Sequence, residues 1–154
     1  MSANNFTTSF TVDQSPEDVF AAINDVRGWW TGVPGVDGPT CTLGDEFVYR
    51  FEPHHESRQK IVELVPGKRI AWHVVEASIN FVKNRSEWTG TTIVFDIVRT
   101  GEKTEVRFSH EGLNPAIECF DSCSNAWSGY INGRLRDLIR STSATAKTAG
   151  RHAV

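Results

Sequence analysis

From Pro115 to about residue 141, the apolar residues Phe120, Cys123, Trp127, Ile131, Leu135 and Leu138 recur at intervals of three and four. That spacing lines one side of a helix. Asn114-Pro115 suits its start, since asparagine caps a free N–H and proline fits the first helical position. Arg134, Arg136 and Arg140 suit the negative end of the helix dipole. Such a helix would be roughly 40 Å long, and its apolar stripe needs a cover of matching size.

The cover is read upstream, where the period changes to two. Phe6, Thr8, Phe10 and Val12 share one face of a first strand. Phe47, Tyr49 and Phe51 do the same, and so do Ile70, Trp72 and Val74, Ile93, Phe95 and Ile97, and Val106, Phe108 and His110. A further strand is expected over 58–65. Glu52-Pro53-His54-His55, Pro66-Gly67 and Thr100-Gly101-Glu102-Lys103 read as turns. Residues 77–90 fit either an extended strand or a long loop. Between the first two strands, Ser15-Pro16-Glu17-Asp18 starts a short helix with Val19, Ile23 and Val26 on its buried side. Trp29-Trp30 then begin a second short turn or helix that ends by Gly35. The simplest packing of this order is α+β, a strongly curved antiparallel sheet wrapped around the terminal helix. One domain over 1–142 is expected, with 143–154 as a flexible tail.

Composition excludes several classes. A net charge of −3 offers no general attraction to phosphate backbones, so no nucleic-acid partner is expected. No apolar run approaches the ~20 residues of a membrane span. The first ten residues lack the basic and apolar regions of a signal peptide. Cys41, Cys119 and Cys123 form no disulfide framework, which together with that N-terminus predicts a cytoplasmic protein with reduced thiols.

The order of several motifs resembles the START-like (SRPBCC) superfamily. "FTVDQSPEDVFAAINDVRGWW" is similar to its opening. "IVELVPGKRIAW", "TTIVFDIVRTGEKTEVRFSHEGL" and "AWSGYINGRLRDLI" resemble the family of the C-terminal domain of the activator of heat-shock protein 90 ATPase. Ala126-Trp127 stands where that family carries a Gly-Trp pair. The resemblance spans roughly residues 6–142. It implies the helix-grip fold with a hydrophobic cavity between sheet and helix, and no fixed chemistry.

A cavity of that kind is lined by aromatic and apolar groups with a few polar anchors. The expected lining is Trp30, Tyr49, Trp72, Phe95, Trp127 and Tyr130, with His110 as the polar anchor. A core histidine bonded to a loop carbonyl is the plainer reading of His110. Of the tryptophan pair, Trp29 is expected in the core and Trp30 at the cavity mouth, only partly packed. His54-His55-Glu56 reads as an exposed turn, and Cys119 and Cys123 as small residues packed near the sheet. Neither cluster completes a ligand set, so no metal and no cofactor are expected. The leading expectation is a small hydrophobic or lipid-like ligand. A co-chaperone-like interaction module is the alternative partner class. A cyclase- or hydrolase-like enzyme ranks last, because His110 and Tyr49 are the inward polar candidates and no catalytic residues stand out.

Overall fold

Each alternating run forms a strand, and the strands form one antiparallel sheet. A computed structural model describes residues 5–80, 82–83 and 85–141. The strands are β1 (Phe6–Val12), β2 (Pro34–Asp37), β3 (Glu46–Phe51), β4 (His55–Val65), β5 (Arg69–Ile79), β6 (Thr92–Thr100) and β7 (Lys103–Glu111). Their order across the sheet is β1-β7-β6-β5-β4-β3-β2. The fold is the expected α+β helix grip. The inward faces read from the alternation are the buried ones: Phe47, Ile70, Trp72, Ile93, Phe95, Val106 and Phe108 are 0–1% exposed.

Curvature has identifiable sources. Along the β4–β5 pair, the register shifts between Arg58 and Gln59 and again between Ile61 and Glu63. Val75 on β5 and Val62 on β4 are the extra residues, and both face solvent. Bulges of this kind bend a strand and sharpen its twist. β5 pairs with β6 only from Arg69 to His73. Beyond that point segment 88–91 takes over as its neighbour. The Val74 amide bonds the Thr91 carbonyl, the Gly90 amide bonds the Val74 carbonyl, and the Ala77 amide donates to Thr89 Oγ1. The uncertain stretch 77–90 is therefore strand as far as Ile79 and a connection after it.

Helix α1 (Pro16–Asn24) starts as its sequence predicts: Ser15 Oγ accepts from the Asp18 amide at 3.1 Å. Its fully buried Val19 and Ile23 face the sheet. A 3-10 turn (Val26–Gly28) follows. The exit from the tryptophan pair is not merely a turn. Val33 donates to Arg50 O (2.9 Å) and accepts from the Glu52 amide (2.7 Å), so the chain extends along β3 and becomes β2.

The C-terminal helix begins at Phe120, five residues later than Asn114-Pro115 suggests. It runs as α2 (Phe120–Gly129), a π segment (Tyr130–Leu135) and a last α-helical stretch, 136–141. Asn114 Oδ1 accepts from the Ala116 amide at 2.9 Å, closing an Asx turn rather than capping a helix. The 22 residues from 120 to 141 give about 33 Å at 1.5 Å per residue, shorter than the sequence suggests. Trp127, Ile131, Leu135 and Ile139 face the sheet, at most 2% exposed, while Leu138 is only partly buried. The expected tail, 143–154, lies outside the described residues. No helix among the described residues is long and apolar enough to cross a membrane.

Candidate functional site

The sheet is open at the end where β3 turns into β4, and a cavity of about 220 Å³ lies there. Trp30 forms its floor. Tyr49, Phe51, His54 and His55 form the sheet side, and Trp88 reaches in from the connection after β5. Ser122, Cys123, Ala126, Trp127 and Tyr130 form the helix side. None of these residues is acidic, and none is a lysine or arginine.

The tryptophan pair resolves in an unexpected way. Residues on a regular element point in different directions, yet both rings are buried: Trp29 is 0% exposed and Trp30 is 2%. Trp29 ends the 3-10 turn with φ −136° and ψ −30°. That non-helical step turns both indoles to one side, 6.3 Å apart and 16° from parallel. Trp29 Nε1 donates to the Ile23 carbonyl at 3.1 Å, so its polar atom is satisfied within the core. Trp30 lies between Tyr49 (4.0 Å, 6°) and Trp72 (6.0 Å, 11°), and tilts against Trp127 (5.0 Å). The expectation of a partly packed ring at the mouth is corrected. Trp30 is a core ring with one side on the cavity.

Three other expected lining residues lie elsewhere. Trp72 and Phe95 are fully buried and sit behind the Trp29–Trp30 pair, 5.0 Å apart. His110 is also fully buried and does not line the cavity. Its Nδ1 accepts from Trp127 Nε1 at 3.0 Å. The remaining proton is therefore on Nε2, which donates to Thr91 Oγ1 at 2.8 Å. Thr91 in turn donates to the Trp88 carbonyl at 2.6 Å. One neutral imidazole thus fixes two cavity walls, Trp88 and Trp127, from behind. Burial, with His55 nearby, pushes its pKa down to about 3. Gly112, at φ +104°, lets Thr91 approach: a Cβ there would lie 2.5 Å from the threonine methyl.

Trp30, Tyr49, Trp127 and Tyr130 do come together at the cavity. The tyrosine hydroxyls are 3.0 Å apart, and each lies within hydrogen-bond distance of the Thr31 carbonyl, at 2.9 and 2.7 Å. When both donate to that carbonyl, each oxygen keeps its lone pairs free to accept. Burial, then the Tyr130 hydroxyl, raises the Tyr49 pKa far above its usual value. His55, expected in an exposed turn, begins β4 and packs edge-on to Trp88 (4.6 Å) and Tyr49 (5.2 Å). Its Nε2 bonds Ser57 Oγ at 2.9 Å, and burial lowers its pKa to about 4. At neutral pH Tyr49 and His55 present uncharged atoms to the cavity.

A family model described as Activator of Hsp90 ATPase homolog 1-like protein (AHSA1) matches residues 13–140. The chain belongs to this family. No curated protein matches it. Solved structures share the fold at low identity. The Aha1 dimer from Colwellia psychrerythraea is 22% identical over 87% of this chain and 95% of its own, with a TM-score of 0.68. Protein CV1439 from Chromobacterium violaceum is 17% identical over 88% of this chain and 97% of its own, TM-score 0.61. The di-domain aromatase/cyclase StfQ from the steffimycin biosynthetic pathway is 14% identical. It aligns over 89% of this chain and 45% of its own, TM-score 0.63.

In this AHSA1-like chain, the lining residues that sequence reasoning missed are Phe51, His54 and His55 around the β3–β4 turn, Trp88 after β5, and Ser122, Cys123 and Ala126 on the helix. Trp88 is one of the chain's five tryptophans, and no local pattern in the sequence around it places its ring. Glu87 is the residue that docks it. Its carboxylate accepts from the amides of Glu118 (2.8 Å) and Cys119 (3.3 Å), where no side chain of the helix's own caps it. Glu118 returns a bond to the Lys83 amide at 3.0 Å. Glu87→Ala is therefore expected to cost about 1–2 kcal/mol, as loss of a helix cap does. Amide exchange should rise at Glu118, Cys119 and in segment 85–91. Unchanged exchange there would show that the carboxylate does not hold the connection. Among the described residues no group of three or more His, Cys, Asp or Glu could hold a metal ion.

Proposed function

We propose that the cavity binds a small, neutral, aromatic or otherwise apolar molecule carrying one hydrogen-bond donor. The observation that carries this reading is a pocket walled by ring faces whose one paired polar feature is the Tyr49–Tyr130 hydroxyls. Size argues for one or two rings: an apolar cavity of about 150 Å³ is enough for benzene, and this one is about 220 Å³. A whole lipid chain exceeds that space. A fatty-acid carboxylate would also be buried without a cation, which is strongly unfavourable. The lipid-like half of the sequence expectation is therefore set aside, and the small hydrophobic half is kept.

Affinity would come from apolar area removed from water, at about 25 cal/mol per Å² before the cost of immobilising the ligand. The tyrosine oxygens would orient the ligand's donor. The test compares naphthalene with 1-naphthol by quenching of tryptophan fluorescence. Both should saturate, with 1-naphthol tighter. Tyr130→Phe should leave naphthalene unchanged and weaken 1-naphthol by about fivefold, the value of one neutral hydrogen bond. Failure of both probes to saturate would refute an aromatic site. An equal effect of Tyr130→Phe on both would refute the orienting role of the hydroxyl.

A further inference from the structure

Cys123 borders the aromatic cavity and Cys119 lies behind it, and nothing above gives the pair a chemical role. Their sulfurs are 2.6 Å apart, with the Cys123 thiol donating to Cys119. They are four residues apart at the first turn of the C-terminal helix, an axial offset of roughly 6 Å. That lies within the Cα separations a disulfide spans. The buried indole N–H of Trp88 has no hydrogen-bond partner, and its proximity lowers the pKa of both sulfurs. The Cys123 hydrogen bond holds Cys119 below the usual thiol value; the same bond and burial push Cys123 up. A proton lost from the pair therefore leaves a thiolate at Cys119, hydrogen-bonded by the Cys123 thiol. Cys123 is part of the cavity wall, so a small molecule in the cavity reaches the pair from that side.

From this juxtaposition we propose that Cys119 and Cys123 form an oxidation-sensitive dithiol site that reacts with small hydroperoxides entering through the aromatic cavity. Cys123, passing its proton across to Cys119, attacks the terminal peroxide oxygen as the thiolate, and the O–O bond breaks. The departing alkoxide takes up the proton lost on ionisation and leaves as an alcohol. The remaining thiol then attacks the sulfenic sulfur; the S–S bond forms, and hydroxide leaves with the thiol proton as water. Two thiols lose two electrons and the hydroperoxide gains them. A small dithiol such as dithiothreitol reverses the change by exchange. An apolar aromatic hydroperoxide suits the cavity walls better than hydrogen peroxide does. The site stands on the sulfur geometry and is independent of which neutral ligand the cavity holds.

The test uses a Cys41→Ser chain, because Cys41 is exposed and would oxidise by itself. Equimolar cumene hydroperoxide should remove both remaining thiols together and lower the intact mass by about two daltons, reversibly with dithiothreitol. The mass change should fall in the single tryptic peptide 108–134, which carries both cysteines. Hydrogen peroxide at the same concentration should react several-fold more slowly. Cys119→Ser in the same background should instead accumulate a sulfenic acid at Cys123, the sulfur on the cavity wall, trapped by dimedone. If that variant does not fold, the peptide map of the Cys41→Ser chain still decides. Thiols that stay titratable, or oxygen adducts without loss of two daltons, would overturn the proposal. A slower reaction with cumene hydroperoxide than with hydrogen peroxide would overturn the cavity route.

Discussion

Trp30→Ala is expected to lower the unfolding free energy by about 3–5 kcal/mol, the range for truncating a buried aromatic ring. The ring is 2% exposed and lies between Tyr49 and Trp72, with Trp127 tilted against it. Removing it leaves Tyr49 without its stacking partner and joins the vacated space to the cavity. The variant should therefore bind indole where the ring stood. By linkage, saturating indole would raise the stability of Trp30→Ala by about 3 kcal/mol at a hundredfold excess over its dissociation constant. It should change the unsubstituted protein much less. Urea unfolding of both proteins with and without indole measures all four values. A Trp30→Ala variant as stable as the original would show that the ring is peripheral. Equal stabilisation of both by indole would show that the vacated space does not join the cavity.

The second large effect is on pH. His110 is fully buried and neutral, its Nδ1 already occupied by the Trp127 N–H. Protonation would set a second donor against that one. With its folded pKa near 3 and an unfolded value near 6.5, the unfolded chain takes up a proton that the folded chain refuses. Stability is therefore unaffected by this group above pH 6.5 and falls as pH drops below it. The loss is about 2 kcal/mol by pH 5, at 1.36 kcal/mol per pH unit. His55, lowered to about 4 by burial, adds in the same direction. Urea midpoints at pH 7, 6 and 5 should fall steadily. His110→Gln, though less stable throughout, should show a flatter decline. A midpoint constant from pH 7 to 5 would contradict a buried neutral His110.

The two expectations turn on residues whose sequence readings went different ways. His110 was visible as a polar residue on an apolar strand face, because alternation alone assigns its direction. Its partners were not visible. Thr91, Trp88 and Trp127 reach it from 17 to 22 positions away in the chain, and no local pattern encodes such a meeting. Trp30 was read from the rule that neighbours on a regular element diverge. That rule fails here because the 3-10 turn hands the chain to a non-helical residue at Trp29.

The sequence by itself determined every strand but β2, the first helix with its serine cap, and the apolar stripe on the last helix. Each of these follows from a period of two or of three to four, which burial against a single layer imposes locally. Only the tertiary structure decided where the last helix starts and how it keeps its face. Asn114-Pro115 carries a start signal, yet the Asx turn satisfies it, and Glu87 caps the chain five residues on from 31 positions upstream. Trp127, Ile131, Leu135 and Ile139 repeat strictly every four residues. On an ideal α-helix each such step drifts by about 40°. The wider π turn from Tyr130 to Leu135 takes out part of that drift, so Ile139 rather than Leu138 closes the core. That choice depends on the curvature of the sheet the helix lies in, and curvature is a property of the whole sheet, sharpened by bulges in β4 and β5 far from the helix in sequence.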